Sequence, residues 1–117
     1  MKKFYYLSSC STCKRILSEL NLPEDIKLHE IKSEPISESD LDILHSLAGS
    51  YEELFSKRAQ LYKERDLKSK KLSEADYKNL ILEHYTFLKR PVLIFGNQIF
   101  IGNSPKTVRE AQKTLHG

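Results

Sequence analysis

The spacing of apolar residues changes along the chain, and each change marks an element. Residues 2–7, KKFYYL, are short and rich in aromatic side chains, as in a buried strand. Cys13, Ile16, Leu17 and Leu20 then recur at i, i+3, i+4 and i+7. That period predicts a helix capped by Ser9, Cys10 or Ser11 and ended by Asn21 and Pro23. IKLHEI, residues 26–31, alternates moderately and reads as a second strand. Strand, helix and strand make a βαβ unit, which implies a parallel pair and a right-handed crossover.

The middle of the chain is helical in pattern. Ser37 is a predicted N-cap with Asp40 as its capping-box partner, Leu41, Leu44 and Leu47 or Ala48 form the stripe, and Gly49 suits the C′ position. SYEELFSK (50–57) predicts a second short helix, whereas RAQLYKERDLKSKK (58–71) is basic, weakly periodic and expected to be irregular and exposed. SEADYKNLILEHYTFL (73–88) carries the clearest helical pattern, capped by Ser73 and lined by Tyr77, Leu80, Ile81, His84, Tyr85 and Leu88. RPVLIF and QIFI are β-runs flanking Gly96-Asn97, a two-residue hairpin signal. Ser104 and Pro105 then open a last helix with Val108, Ala111 and Leu115 on its apolar side. The order is β-α-β, a helical insert over about 36–88, then β-β-α, in one domain spanning 1–117 with no repeat and no second core.

Composition narrows the class. Hydrophobic residues make up 39% and charged residues 30%, enough apolar surface to offset chain entropy, so the chain is globular. A net charge of +3 does not demand nucleic acid, but it tolerates an anionic substrate or an acidic partner. The basic tract KERDLKSKK lacks interleaved aromatics and reads as a solvated loop. MKKFYYLSSC has no long apolar core, and no apolar run approaches the roughly 20 residues that cross a bilayer. A cytoplasmic protein without a membrane partner is the expectation, and in a reducing compartment two cysteines mean redox chemistry, metal or packing rather than a permanent cross-link.

Those two cysteines, Cys10 and Cys13, lie in SSCSTCKR, where the first strand gives way to the first helix. Unsatisfied amides and the positive end of the helix dipole stabilise a thiolate there, and Lys14 and Arg15 add positive charge. Cys10 falls at the exposed cap and is the candidate nucleophile. Cys13 lies one turn inside, either as a thiol able to resolve a mixed disulfide on Cys10 or as a small member of the apolar stripe. A zinc site needs about four ligands; with no second cysteine pair and with His29, His45, His84 and His116 scattered, no metal is expected. Haem attachment requires His where Lys14 stands.

SSCSTCKRILSEL resembles the active-site segment of the arsenate reductase family, which includes glutaredoxin-dependent arsenate reductases and Spx-type regulators that bind RNA polymerase. IKSEPIS, SKRAQLYKE and ILEHYTFLKRPVLIF resemble further family segments in the family's order, from about residue 4 to 109. The resemblance implies a thioredoxin-like (glutaredoxin-like) mixed sheet flanked by helices, with the helical insert between its halves, consistent with the element order. It implies Cys10 as nucleophile, Arg58 and Arg90 as oxyanion-binding arginines, Pro91 as a cis-proline facing the cysteine, and Ser11 and Thr12 as its supporting neighbours. A guanidinium suits an oxyanion because its planar fork gives paired, charge-assisted bonds.

The enzymes carry a third arginine after the hairpin, where this chain reads FIGNSPKTV with Asn103 and Lys106, and Tyr6 stands where some members have a histidine. The Cys-x-x-Cys pair, SEPIS and Gly49 lean instead towards the Spx-type branch, although the chain ends at Gly117, short of the longer tail of those regulators. Two functions are therefore expected, the reductase ahead of the regulator, beside a plainer reading as a thioredoxin-fold protein with a nonspecific redox role. One is a monomeric thiol-dependent reductase of arsenate, another small oxyanion or a disulfide, with no bound cofactor and with glutathione, glutaredoxin or thioredoxin as external reductant. The other is a redox-switched regulator that meets RNA polymerase around Gly49.

Overall fold

The computed structural model describes residues 1–117, which form two compact units: Met1–Glu34 with Arg90–Gly117, and Pro35–Lys89. The first holds a four-stranded mixed sheet in the order β2-β1-β3-β4, with β1 at Lys2–Tyr6, β2 at Lys27–Glu30, β3 at Val92–Phe95 and β4 at Gln98–Ile101. β1 runs parallel to β2 and antiparallel to β3, and β3 pairs antiparallel with β4. The parallel pair is joined through helix α1, Ser11–Leu20, as the βαβ pattern requires.

Register explains which residues form the core. Phe4 lies opposite Leu93, and Leu93 opposite Phe100, so these three share one sheet face. Ile16 and Leu20 of α1, and Val108 and Ala111 of helix α5 (Pro105–His116), pack with Phe4 and Leu93. Tyr5, His29, Val92 and Ile94 belong to the opposite face and are buried too. Gly96 opens the β3–β4 turn at φ +65, a conformation that only a residue without a Cβ adopts freely. α1 ends at Asn21, which takes the left-handed conformation (φ 48).

The Pro35–Lys89 unit is built on helices α2 (Glu38–Ala48), α3 (Gln60–Glu64) and α4 (Glu74–Glu83) with three single 3₁₀ turns. Ser37 caps α2 by accepting from the Asp40 amide at 3.1 Å, and Gly49 closes it at φ +94. Ser73 and Asp76 form a reciprocal capping box at the start of α4. Phe55 lies at the centre of the unit, its ring stacked on Phe87 at 5.3 Å and close to Tyr77 at 4.8 Å.

Three sequence expectations need correction here. The helix expected over 73–88 ends at Glu83; His84 turns extended, Tyr85–Phe87 form a 3₁₀ turn, and Leu88 pairs antiparallel with Phe55. The His84 side chain accepts from the Thr86 amide at 3.2 Å, a bond a continuous helix would forbid. The helix expected over 50–57 shrinks to Glu52–Leu54, because Phe55 is the other half of that bridge. The tract 58–71 is not wholly irregular: it contains α3 and a 3₁₀ turn at Leu67–Ser69, held down by buried Ala59 and Leu67. Ser73→Ala removes one half of the α4 capping box and should cost about 1 kcal/mol, read as a lower urea midpoint at unchanged slope.

Candidate active site

The chain leaves β1 at Tyr6 and enters α1 at Ser11. Between them a turn closes when the Cys10 amide donates to the Leu7 carbonyl at 3.0 Å. Cys10 is thereby the N-cap residue of α1 (φ −93, ψ 112), and its carbonyl accepts from the Lys14 amide at 3.1 Å. Cys10 is partly exposed, whereas Cys13 is fully buried on the stripe it shares with Ile16 and Leu20; both thiols are free.

The two thiols are tuned in opposite directions. Partial burial pushes the Cys10 thiol up, but the Cys13 amide, the Cys13 thiol, the Thr12 amide and the Arg90 guanidinium pull it down, and the net shift is downward. No amide meets the geometry of a formed N-cap bond to the Cys10 side chain; the Cys13 and Thr12 amides and the Cys13 thiol act on the sulfur as nearby donors, and the Arg90 charge adds a smaller pull. Burial pushes Cys13 up to about 11; the Leu7 backbone and Arg90 oppose that, while the Cys10 sulfur reinforces it. The outer thiol thus ionises more readily than an ordinary cysteine, while the inner one is held as the neutral thiol at neutral pH.

Arg90 is half-buried, acts on both sulfurs, and is joined to Pro91 by a cis peptide bond. Pro91 is buried, and its carbonyl accepts from the Gly102 amide at 2.9 Å, which ties the start of β3 to the end of β4. Ser11 is exposed and Thr12 half-buried in the first turn of α1. Tyr6 is half-buried with its ring 6.0 Å from that of Phe4. Asn103 and Lys106 are exposed around the start of α5. The structure thus brings Cys10, Cys13, Thr12 and Arg90 together. Arg58 is exposed in the turn before α3, and Gly49 is exposed at the end of α2, both in the Pro35–Lys89 unit. No three His, Cys, Asp or Glu side chains gather as a metal ligand set.

Sequence reasoning missed Glu30. Its carboxylate ends β2 and accepts from the Ser8 amide at 2.9 Å, the Ser33 amide at 2.8 Å, the Lys32 amide at 3.0 Å and the Ser33 hydroxyl at 3.0 Å. Partial burial raises its pKa, but these donors outweigh burial and hold it down at about 2. The neighbouring His29 is buried, with Nε2 2.7 Å from the Glu34 carbonyl oxygen and Nδ1 without a partner. No motif announces either residue. The available signal was a carboxylate at a strand end followed closely by a serine.

The model of the ArsC family matches residues 5–111. The global transcriptional regulator Spx of Streptococcus mutans is 25% identical over 93% of this chain and 81% of its own length. The regulatory protein MgsR of Bacillus subtilis is 25% identical over 97% and 93%. An arsenate reductase from Vibrio cholerae superposes with a TM-score of 0.78 at 23% identity, covering 94% of this chain and 96% of that one. The last comparison bears on the fold alone, which is the expected thioredoxin-like one.

Two outcomes follow from the site. In the folded protein at pH 7, iodoacetamide should modify Cys10 and spare Cys13, with both modified after denaturation; peptide mass mapping reads the ratio. Because the folded-state pKa of Glu30 lies below its ordinary 4.5, its contribution to stability is full above about that pH and is lost as pH falls towards about 2. Urea midpoints for Glu30→Gln should therefore converge on those of the wild type across that window.

Proposed function

Since the chain belongs to the ArsC family, we propose that it is a thiol-dependent oxidoreductase of the arsenate reductase type, with Cys10 as its nucleophile. The observation that supports this best is the opposed tuning of two thiols three residues apart beside Arg90. A nucleophile needs thiolate character at neutral pH, and a resolving thiol is best kept neutral until it is needed. On this reading Cys10 Sγ attacks the arsenic of arsenate and an oxygen leaves as water. External thiols, glutathione with glutaredoxin, then supply the two electrons that release arsenite and end as a disulfide.

Arg90 would hold the oxyanion through charge-assisted bonds, and Arg58 is the further oxyanion-binding candidate that the family resemblance gives. With Asn103 and Lys106 after the hairpin in place of a third arginine, fewer forked donors face the anion, so other small oxyanions and disulfides stay within the substrate class. On a disulfide substrate, Cys13 would resolve the mixed disulfide formed on Cys10.

A second reading is favoured by the likeness to Spx and MgsR over nearly the whole chain. On that reading a Cys10–Cys13 disulfide is a switch, and the surface around exposed Gly49 meets RNA polymerase.

A coupled arsenate assay separates the two. Cys10→Ser should abolish turnover, and Arg90→Lys should raise KM about tenfold, the weight of one charge-assisted bond of roughly 1.4 kcal/mol. Loss of activity in Cys13→Ser would mark a working dithiol; full activity on arsenate and on a disulfide substrate alike would make Cys13 a core residue. No turnover with any oxyanion or disulfide, together with redox-dependent retention of polymerase, would replace the first reading by the second.

A further inference from the structure

Glu30 lies directly across from Tyr6 in the parallel β1–β2 pair, at the end of the sheet where β1 passes into the turn Leu7–Cys10. The pairing continues one bond further, with the Ile31 amide donating to the Tyr6 carbonyl at 3.0 Å. The carboxylate divides its oxygens between two segments. Oε2 takes the Ser8 amide, inside the cysteine turn, while Oε1 takes the Lys32 and Ser33 amides and the Ser33 hydroxyl, in the turn after β2. That second turn is itself anchored, since the Glu34 amide donates to the Glu30 carbonyl at 2.9 Å and the Glu34 carbonyl oxygen lies against His29.

The consequence falls on the thiols. The Thr12 and Cys13 amides stabilise the Cys10 sulfur, and the Leu7 backbone acts on Cys13. All of these depend on where the turn Leu7–Cys10 sits above the first turn of α1. Dipole interactions at a helix N-terminus fade within a single turn, so a small displacement of the cap forfeits much of their effect.

We propose that Glu30 is a positioning residue for the Cys10 thiolate: its carboxylate clasps the Ser8 amide to the Lys32–Ser33 turn and so holds Sγ where the amides of Thr12 and Cys13 act on it. This rests on the reading of Cys10 as the reactive thiol. The sign of the effect distinguishes positioning from simple electrostatics. Removing a negative charge near a thiol lowers or leaves unchanged the thiol pKa, whereas releasing the turn raises it.

The test is the pH profile of Cys10 alkylation, resolved by peptide mass mapping, in wild type, Glu30→Gln and Glu30→Asp. Gln keeps the reach but loses the charge and half the acceptor capacity; Asp keeps the charge but is too short to span both turns. Circular dichroism and a melting midpoint above the assay temperature establish that each variant is folded, and Glu30→Asp carries the test if Glu30→Gln does not fold. Clasping predicts an upward shift of the Cys10 midpoint by about half a unit or more in the folded variants, roughly a threefold lower rate below the midpoint. An unchanged or lowered midpoint beside a wild-type Cys10 that is depressed overturns the clasp alone. A wild-type Cys10 that alkylates like a free cysteine overturns the reactive-thiol reading first, and the clasp with it.

Discussion

The site depends on one constraint: a buried central strand must hand over to a helix with a buried stripe within a single short turn. Phe4 and Tyr5 lie inside the sheet, and Ile16 and Leu20 are buried on α1. Burying each such side chain contributes about 1.5–3 kcal/mol, so the core sets both the rotation of α1 and the register of β1. The cysteines inherit the outcome. Cys13 lies three residues before Ile16 and is carried into the core, while Cys10 lies one turn earlier and is left at the helix mouth.

From that difference in place follows a difference in chemistry. The same thiol group, in the same field of Arg90, is shifted down at position 10 and up to about 11 at position 13. Burial opposes ionisation at both; it prevails at Cys13, and at Cys10 the amides and the guanidinium prevail. A Cys-x-x-Cys spacing on the first turn of a helix therefore starts the two thiols in unlike places, one in the core and one at the helix mouth, and the surrounding donors act on that difference.

The Pro35–Lys89 unit follows a different logic, organised by aromatic contacts around Phe55 rather than by helical period. The Phe55–Leu88 bridge is reinforced by the Ser56 amide donating to the Phe87 carbonyl and the Lys89 amide to the Leu54 carbonyl, both at 2.8 Å. Two extended stretches thus interrupt runs whose apolar spacing favours helix, because backbone pairing combined with ring stacking outweighs the weak preference of a few residues for the helical state.

What the sequence determined by itself was whatever depends on neighbours a few residues apart. The caps Ser37, Ser73 and Ser104, the Gly96 turn, and the unlike places of Cys10 and Cys13 are all short-range, because a cap or a stripe is complete within one or two helical turns. Tertiary structure alone decided the rest. His84–Leu88 leave the helix because Leu88 finds its partner in Phe55, and α3 forms within a basic tract flanked by buried Ala59 and Leu67. Glu30 was invisible for the same reason. Its value lies in an amide 22 residues away, and only the parallel pairing of β1 with β2 brings donor and acceptor together.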